Sequence, residues 1–124
     1  MEALVIISSS YTVKQTMDRV VMLLEGLGMS IYARINRQVE SKWCGIRFPP
    51  MECLLFDDPH LSIPVVLQNP VLGLCFPMKI IVWEEDGCQI AFRDPEALLQ
   101  LYDPGADSLH WPDLRTDISD ALRE

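Results

Sequence analysis

The sequence lacks the local motifs that identify many enzymes and metal-binding modules. It contains no GxGxxG or Walker pattern, and its four cysteines form no CxxC pair. No apolar run approaches the eighteen or more residues that a membrane-spanning helix requires. The sequence therefore contains no recognisable nucleotide-binding loop or zinc-binding motif. We predict no cofactor, no metal and no contact with a membrane.

The amino terminus also lacks the features of an export signal. Glu2 stands where such a signal carries a base, and the apolar stretch that follows is short. We therefore expect a cytoplasmic protein with reduced thiols. Each cysteine has apolar neighbours, which favours buried structural thiols over reactive ones: Cys44, Cys53, Cys75 and Cys88.

Basic residues are scarce: the chain has 10 of them and 18 acidic residues, which gives a net charge of −8. A domain of this sign repels phosphate backbones, so we predict that nucleic acid is not a partner. Residues 1–83 hold seven acids and seven bases, whereas residues 84–124 hold eleven acids and three bases. The excess charge thus predicts an acidic surface on the carboxy-terminal side, which leaves another face free to associate.

The 124 residues, 49% of them hydrophobic, are enough for one domain with one core. We assign residues 1–124 to a single domain, with a core over about residues 1–102 and a C-terminal helical extension over about residues 103–124. The extension is predicted from apolar residues at helical spacing, namely Leu114, Ile118 and Leu122.

Periodicity predicts an α+β fold with an antiparallel sheet and helices mainly on one face. Thr12 begins a capping box with Gln15, and Ser62 is the predicted N-cap of a later short helix. Residues 29–37 alternate, so we expect Met29, Ile31, Ala33 and Ile35 to share one face.

Asp86-Gly87 predicts a two-residue hairpin turn in which Trp83 lies opposite Ile90. In that register Ile80, Val82 and Ala91 lie on the side of the sheet away from most helices. Tyr32 lies on the same side. The third strand contributes either Leu54 and Phe56 or Cys53 and Leu55 to this side, depending on which of its two alternating sets of residues faces away from the helices. Because this side is unusually apolar, we expect either a homodimer interface or a ligand cradle there. The homodimer is favoured, with an interface formed by Tyr32, Leu54, Phe56, Ile80 and Val82.

A set of short motifs extends over nearly the whole chain. They include Asn69-Pro70 and the end of a hydrophobic strand at Trp83-Glu84-Glu85. The remaining motifs are Ser10-Tyr11-Thr12-Val13, Phe56-Asp57-Asp58-Pro59, Pro64, Gly73-Leu74, Pro77 and Phe92-Arg93-Asp94-Pro95. This set resembles the motifs of the bacterial family called domain of unknown function 302.

The resemblance implies a fold similar to the TATA-box-binding-protein-like group, in the order strand, helix, strands, helix. It also implies a homodimer and no particular activity. This sequence departs from the family pattern at Asp57-Asp58-Pro59, at Ser62-Ile63 and at Cys75, which implies an altered binding loop.

Two interpretations of that loop stay open. Asp57, Asp58 and His60 offer two carboxylates and an imidazole, a set suited to a divalent metal or to acid–base chemistry. Aspartate also forms turns by bonding its own backbone, with no ligand involved. Likewise, Cys75 is either a nucleophile paired with His60 or His110, or a small apolar filler.

We therefore predict a homodimeric binding or regulatory module with a small-molecule pocket lined by Asp57, Asp58, His60, Ser62 and Cys75, and we assign no catalytic residue. The alternative function is a metal-assisted or thiol-based enzyme built on Asp57, Asp58, His60 and Cys75.

Overall fold

A computed structural model describes residues 1–102 and 111–123. These residues form five strands and five helices, together with 3-10 turns at Lys42–Cys44 and Pro70–Leu74. The α+β class predicted from the sequence is confirmed. In chain order the elements are β1 (Leu4–Ser9), α1 (Val13–Gly26), β2 (Ser30–Asn36), α2 (Arg37–Ser41), β3 (Met51–Asp57), α3 (Pro59–Gln68), β4 (Met78–Glu84), β5 (Cys88–Arg93), α4 (Pro95–Tyr102) and α5 (Leu114–Ala121).

The five strands form one antiparallel sheet in the order β1-β5-β4-β3-β2. The chain therefore places its first strand at one edge and its second at the other. The two edges are separated by strands that lie later in the sequence. Helix α1 crosses beneath this sheet and contacts β2, β3 and β4.

Helix α1 begins as predicted, because Thr12 accepts a hydrogen bond from the backbone of Gln15 and the Gln15 side chain bonds back to Thr12. This capping box satisfies two backbone donors that have no partner within the helix. The buried face of the helix consists of Val13, Thr16, Met17, Val20 and Leu24. After the helix, Gly28 adopts a φ of +81°, a conformation that glycine favours.

The core lies between this helix and one face of the sheet. Most of its fully buried side chains come from three strands and α1, and they include Leu54, Phe56, Ile80, Val82 and Ile90. Helix α5 packs on α1 and adds Leu114, Ile118 and Leu122 to the same cluster. The helix that we expected as an extension thus contributes to the main core. The first part of the predicted extension, residues 103–110, lies outside the described residues.

The β4–β5 hairpin differs from the predicted register by one residue. Three residues, Glu85 to Gly87, separate the strands, and Trp83 pairs with Gln89 instead of Ile90. Asp86 and Gly87 do take the positive φ values expected of the turn, 51° and 101°. The additional loop residue reverses the face that β4 presents, because side chains alternate along a strand.

Strand β2 also departs from the sequence pattern. Its register shifts between Ile31 and Ala33, which marks a β-bulge at Tyr32. Ile31 consequently packs against the core, whereas Ala33 and Ile35 share the opposite face. The prediction that Met29, Ile31, Ala33 and Ile35 share one face was therefore wrong, because a bulge interrupts the two-residue period.

Ile80 and Ile81 provide a direct test of the hairpin register. Ile80 is fully buried, whereas Ile81 is half-buried on the other face. We expect Ile80→Ala to lower the free energy of unfolding by about 2 to 5 kcal/mol. Ile81→Ala should cost about 1 kcal/mol or less, because it leaves no closed cavity. Urea unfolding at low protein concentration measures both, and a larger loss for Ile81→Ala would contradict the register.

Candidate functional site

The face of the sheet opposite α1 is predominantly apolar. The strand register aligns its side chains in three rows that run across the sheet. Each of the first two rows contains one residue from every strand, and the third contains one residue from four of the strands. We call this surface the open face, and its rows are Leu4, Arg93, Lys79, Leu55 and Ala33; Ile6, Ala91, Ile81, Cys53 and Ile35; and Ser8, Gln89, Trp83 and Met51.

The middle row of the open face contains no polar side chain across all five strands. None of its residues belongs to the hydrophobic core cluster formed by the described part of the chain. Ile6 is 55% exposed, and Ile35 and Ile81 are half-buried, whereas Cys53 and Ala91 are buried. Antiparallel sheets that face water usually alternate apolar and polar sides, so this row departs from a solvated surface.

Four of the five predicted interface residues do not lie on the open face. Leu54, Phe56, Ile80 and Val82 are buried in the core beneath the helices. Their assignment to a surface was wrong because the hairpin register is shifted by one residue. Tyr32, at the bulge, is 50% exposed. Of the two alternatives considered for β3, the structure places Cys53 and Leu55 on the open face.

The predicted ligand-binding loop forms the junction between β3 and α3. Asp58 is the N-cap of α3, and its carboxylate accepts the backbone N–H of His60 at 3.0 Å. Pro59 then occupies the first turn of the helix. The predicted N-cap, Ser62, instead lies inside the helix, because Asp58 caps it four residues earlier.

Asp57 and Ser62 form a buried pair behind this cap. The Ser62 hydroxyl donates to Oδ2 of Asp57 at 2.6 Å, and both residues are almost fully buried. Oδ1 of Asp57 is buried without a hydrogen-bond partner among the described residues. Burial raises the pKa of the Asp57 carboxyl above its ordinary value, although the Ser62 hydrogen bond opposes this shift.

The structure does not bring the five predicted ligand-binding residues to one place. Cys75 lines a separate cleft to which Asp57, Asp58, His60 and Ser62 do not contribute. Within residues 1–102 and 111–123, no group of three or more His, Cys, Asp or Glu side chains is placed to hold a metal. The contacts at Asp57 and Asp58 correspond to the turn and cap interpretation. His110 lies outside the described residues.

The cleft lies at one end of the open face, between the start of β1, the segment before β4, and α4. Its volume is about 340 Å³. Apolar walls come from Leu4, Leu74, Pro77, Ile81, Ala91 and Leu98. Lys79 and Arg93, which occupy one row of the open face on the neighbouring strands β4 and β5, also line it.

Lys79 and Arg93 were not predicted as site residues. Alternation in β5 alone places Arg93 beside Ala91 on the open face, as expected. The predicted hairpin register put Lys79 on the opposite side, which separated the two cations. Only the three-residue loop at Glu85 to Gly87 brings them to the same face. Loop length was therefore the missing signal.

The four cysteines are free, and they differ in exposure more than the sequence predicted. Cys53 and Cys88 are buried as expected, and Cys75 is half-buried. Cys44, however, is exposed in the 3-10 turn after α2, so its prediction as a buried thiol was wrong. Its apolar neighbours Trp43 and Ile46 are themselves exposed and provide no cover.

Comparison with known proteins places this architecture in a family. A model of the family described as domain of unknown function DUF302 matches residues 5–124. The chain belongs to the DUF302 family. The fold is shared with the crystal structure of an uncharacterized conserved DUF302 protein from Bacillus stearothermophilus, with a TM-score of 0.76 and 21% identity. That match covers 97% of this chain and 95% of the other.

This DUF302 chain is also similar to longer proteins named for ion transport. It is 26% identical over 107 residues to the fluoride-specific ion channel FluC 1 of Brucella suis and to FluC 1 of Brucella abortus. The match covers 85% of this chain but only 42% and 40% of those proteins. In the described part of this chain, no helix is long and apolar enough to cross a membrane.

Asp57 makes the stability of the DUF302 domain depend on pH. Because its folded pKa is raised, the folded chain holds this proton more firmly than the unfolded chain does. The contribution of Asp57 to stability therefore falls as pH rises from about 4, the ordinary aspartate range, through the raised pKa. Asp57→Asn removes this titrating group. The free energy of unfolding of the variant should therefore increase relative to that of wild type as pH rises.

Urea unfolding between about pH 4 and pH 7 measures this difference. Asp86→Asn, in the exposed hairpin loop, is the control for loss of one carboxylate. A free energy of unfolding of Asp57→Asn that stays constant or falls relative to wild type as pH rises would contradict the assignment.

Native thiol labelling should distinguish the four cysteines. We expect Cys44 to react at least about tenfold faster than Cys53 and Cys88, because the latter two are buried. Burial also raises the pKa of the Cys88 thiol, which lowers its thiolate fraction. Cys44→Ser should remove the fast phase. Labelling of Cys88 as fast as Cys44 would show that the fold around it is wrong.

Proposed function

We propose that this DUF302 domain is a homodimeric binding module that associates through the open face of its sheet. The observation that carries the proposal is the uninterrupted apolar row formed by Ile6, Ala91, Ile81, Cys53 and Ile35. Ten of the fourteen side chains in the three rows are apolar. A contiguous apolar surface of this kind usually marks an interface.

Charge favours a second copy of the chain as the occupant. The protein carries a net charge of −8, and surfaces that carry this acidic excess would repel one another in a dimer. The three rows of the open face contain two bases and no acid. Two copies that meet on this face thus avoid the acid–acid contacts that other orientations impose.

The geometry of the face also suits a two-fold interface. Strand and residue spacings give the three rows a footprint of about 500 Å². Two such faces would bury on the order of 1,000 Å², at the lower limit for a specific interface. A two-fold axis near Ile81 would place apolar residues of one protomer against apolar residues of its partner. The expected dimer is therefore reversible and depends on concentration.

The longer relatives support a binding or regulatory role. In those proteins, named fluoride-specific ion channels, the region similar to this chain is about two fifths of the length. No described helix of this chain has the composition for a membrane span. We infer that the domain contributes association or regulation and leaves conduction to the remaining part of those proteins. Free cysteines are in keeping with a cytoplasmic location.

Sedimentation of Ile6→Glu tests the interface. Ile6 is 55% exposed, so the folded protomer should accept the charge, whereas the apolar contact should not. We expect wild type to show a dimer that dissociates on dilution and Ile6→Glu to stay near 14.1 kDa up to about 100 µM.

Met22→Glu is the matched control for this experiment. Met22 is an exposed apolar residue on α1, away from the open face, and its substitution should leave the dimer intact. The proposal fails if wild type sediments as a monomer at about 100 µM, or if both variants dissociate the dimer equally.

A further inference from the structure

We infer that the cleft at the end of the open face binds a small carboxylate with an apolar tail, such as a medium-chain alkyl carboxylate. The inference goes beyond dimerisation and rests on the proposed binding role alone, because every residue of the cleft belongs to one chain. The cleft and the open face share Leu4, Lys79, Ile81, Ala91 and Arg93, so ligand binding should compete with dimerisation. A volume of about 340 Å³ is sufficient for a ligand of this size.

The charge of the cleft selects an anion. Lys79 and Arg93 both line it, and neither forms a salt bridge with an acid among the described residues. The nearby carboxylate of Glu2 accepts a hydrogen bond from the Tyr102 hydroxyl at 2.6 Å. Two cations therefore lie on adjacent strands with no carboxylate of this chain bonded to them.

Arg93 has donor capacity that the described fold does not use. Its Nε is buried, with no hydrogen-bond partner in residues 1–102 and 111–123. A buried donor without a partner costs free energy that an incoming acceptor can offset. A guanidinium binds a carboxylate through paired parallel hydrogen bonds, and a lysine adds a mobile positive charge.

The walls of the cleft select an apolar tail. Leu74 and Leu98 approach the cleft from one side, and Ile81 and Ala91 from the sheet. An inorganic anion would contact the two cations and leave these walls exposed to water. An alkyl carboxylate would satisfy the cations and bury its chain, which contributes about 0.8 kcal/mol for each methylene removed from water.

Calorimetric titration with three probes tests both parts of this recognition. Octanoate should bind with a dissociation constant below about 1 mM. Acetate, which lacks the tail, and 1-octanol, which lacks the charge, should each bind at least about tenfold more weakly. Amide chemical-shift changes on octanoate addition should concentrate at Cys75, Ala91 and Leu98.

Two charge-removing variants complete the test. Lys79→Met and Arg93→Met should each weaken octanoate binding about tenfold, while Lys42→Met, which removes a cation outside the cleft, should not. Lys79 is exposed, so its variant should fold even if the Arg93 variant does not. The Ile6→Glu protein should stay monomeric with its cleft uncovered, and it should bind octanoate at least as tightly as wild type. Failure of dimerisation and failure of this inference are therefore separable.

The inference is overturned by any of three results. These are no octanoate binding at about 10 mM, equal affinity for 1-octanol, or octanoate affinity that Lys79→Met leaves unchanged. Chemical-shift changes confined to α1 would likewise place the ligand elsewhere.

Discussion

The alignment of β4 with β5 determines which residues of this protein are core and which are surface. Side chains alternate along a strand, so a shift of one residue exchanges the two faces. The three-residue loop at Glu85 to Gly87 places Ile80 and Val82 beneath the helices, with Ile81 and Trp83 on the other side. The core, the apolar row and the pair of cations at the cleft all depend on this alignment.

Two local irregularities therefore establish the candidate functional surface. The hairpin loop brings Lys79 to the same face as Arg93, and the bulge at Tyr32 transfers Ala33 and Ile35 from the face of Ile31 to the open face. Without the bulge, the apolar row would end at Cys53. Bulges are often found near functional sites because they change the direction of side chains locally.

Much of the fold follows from local sequence signals. Thr12 and Gln15 predict the start of α1, Gly28 predicts its end, and Asp94-Pro95 predicts α4, because caps and prolines act within a few residues. Register depends on a single residue of loop length, and Asp86-Gly87 is compatible with both a two-residue and a three-residue loop. The pair of cations was missed at that step, because a two-residue turn would place Lys79 and Arg93 on opposite faces of the sheet. Asp57 and Ser62 were predicted as ligand-binding residues of one loop, whereas their pairing in the interior depends on tertiary burial.

Interstrand proton contacts in the NMR spectrum of the protein test the alignment most directly. In antiparallel pairs, directly opposed residues bring their backbone protons close together. The structure predicts cross-strand contacts between Trp83 and Gln89 and between Ile81 and Ala91. Contacts between Trp83 and Ile90 and between Ile81 and Phe92 would restore the two-residue turn, return Ile80 to the open face and contradict this account of the surface.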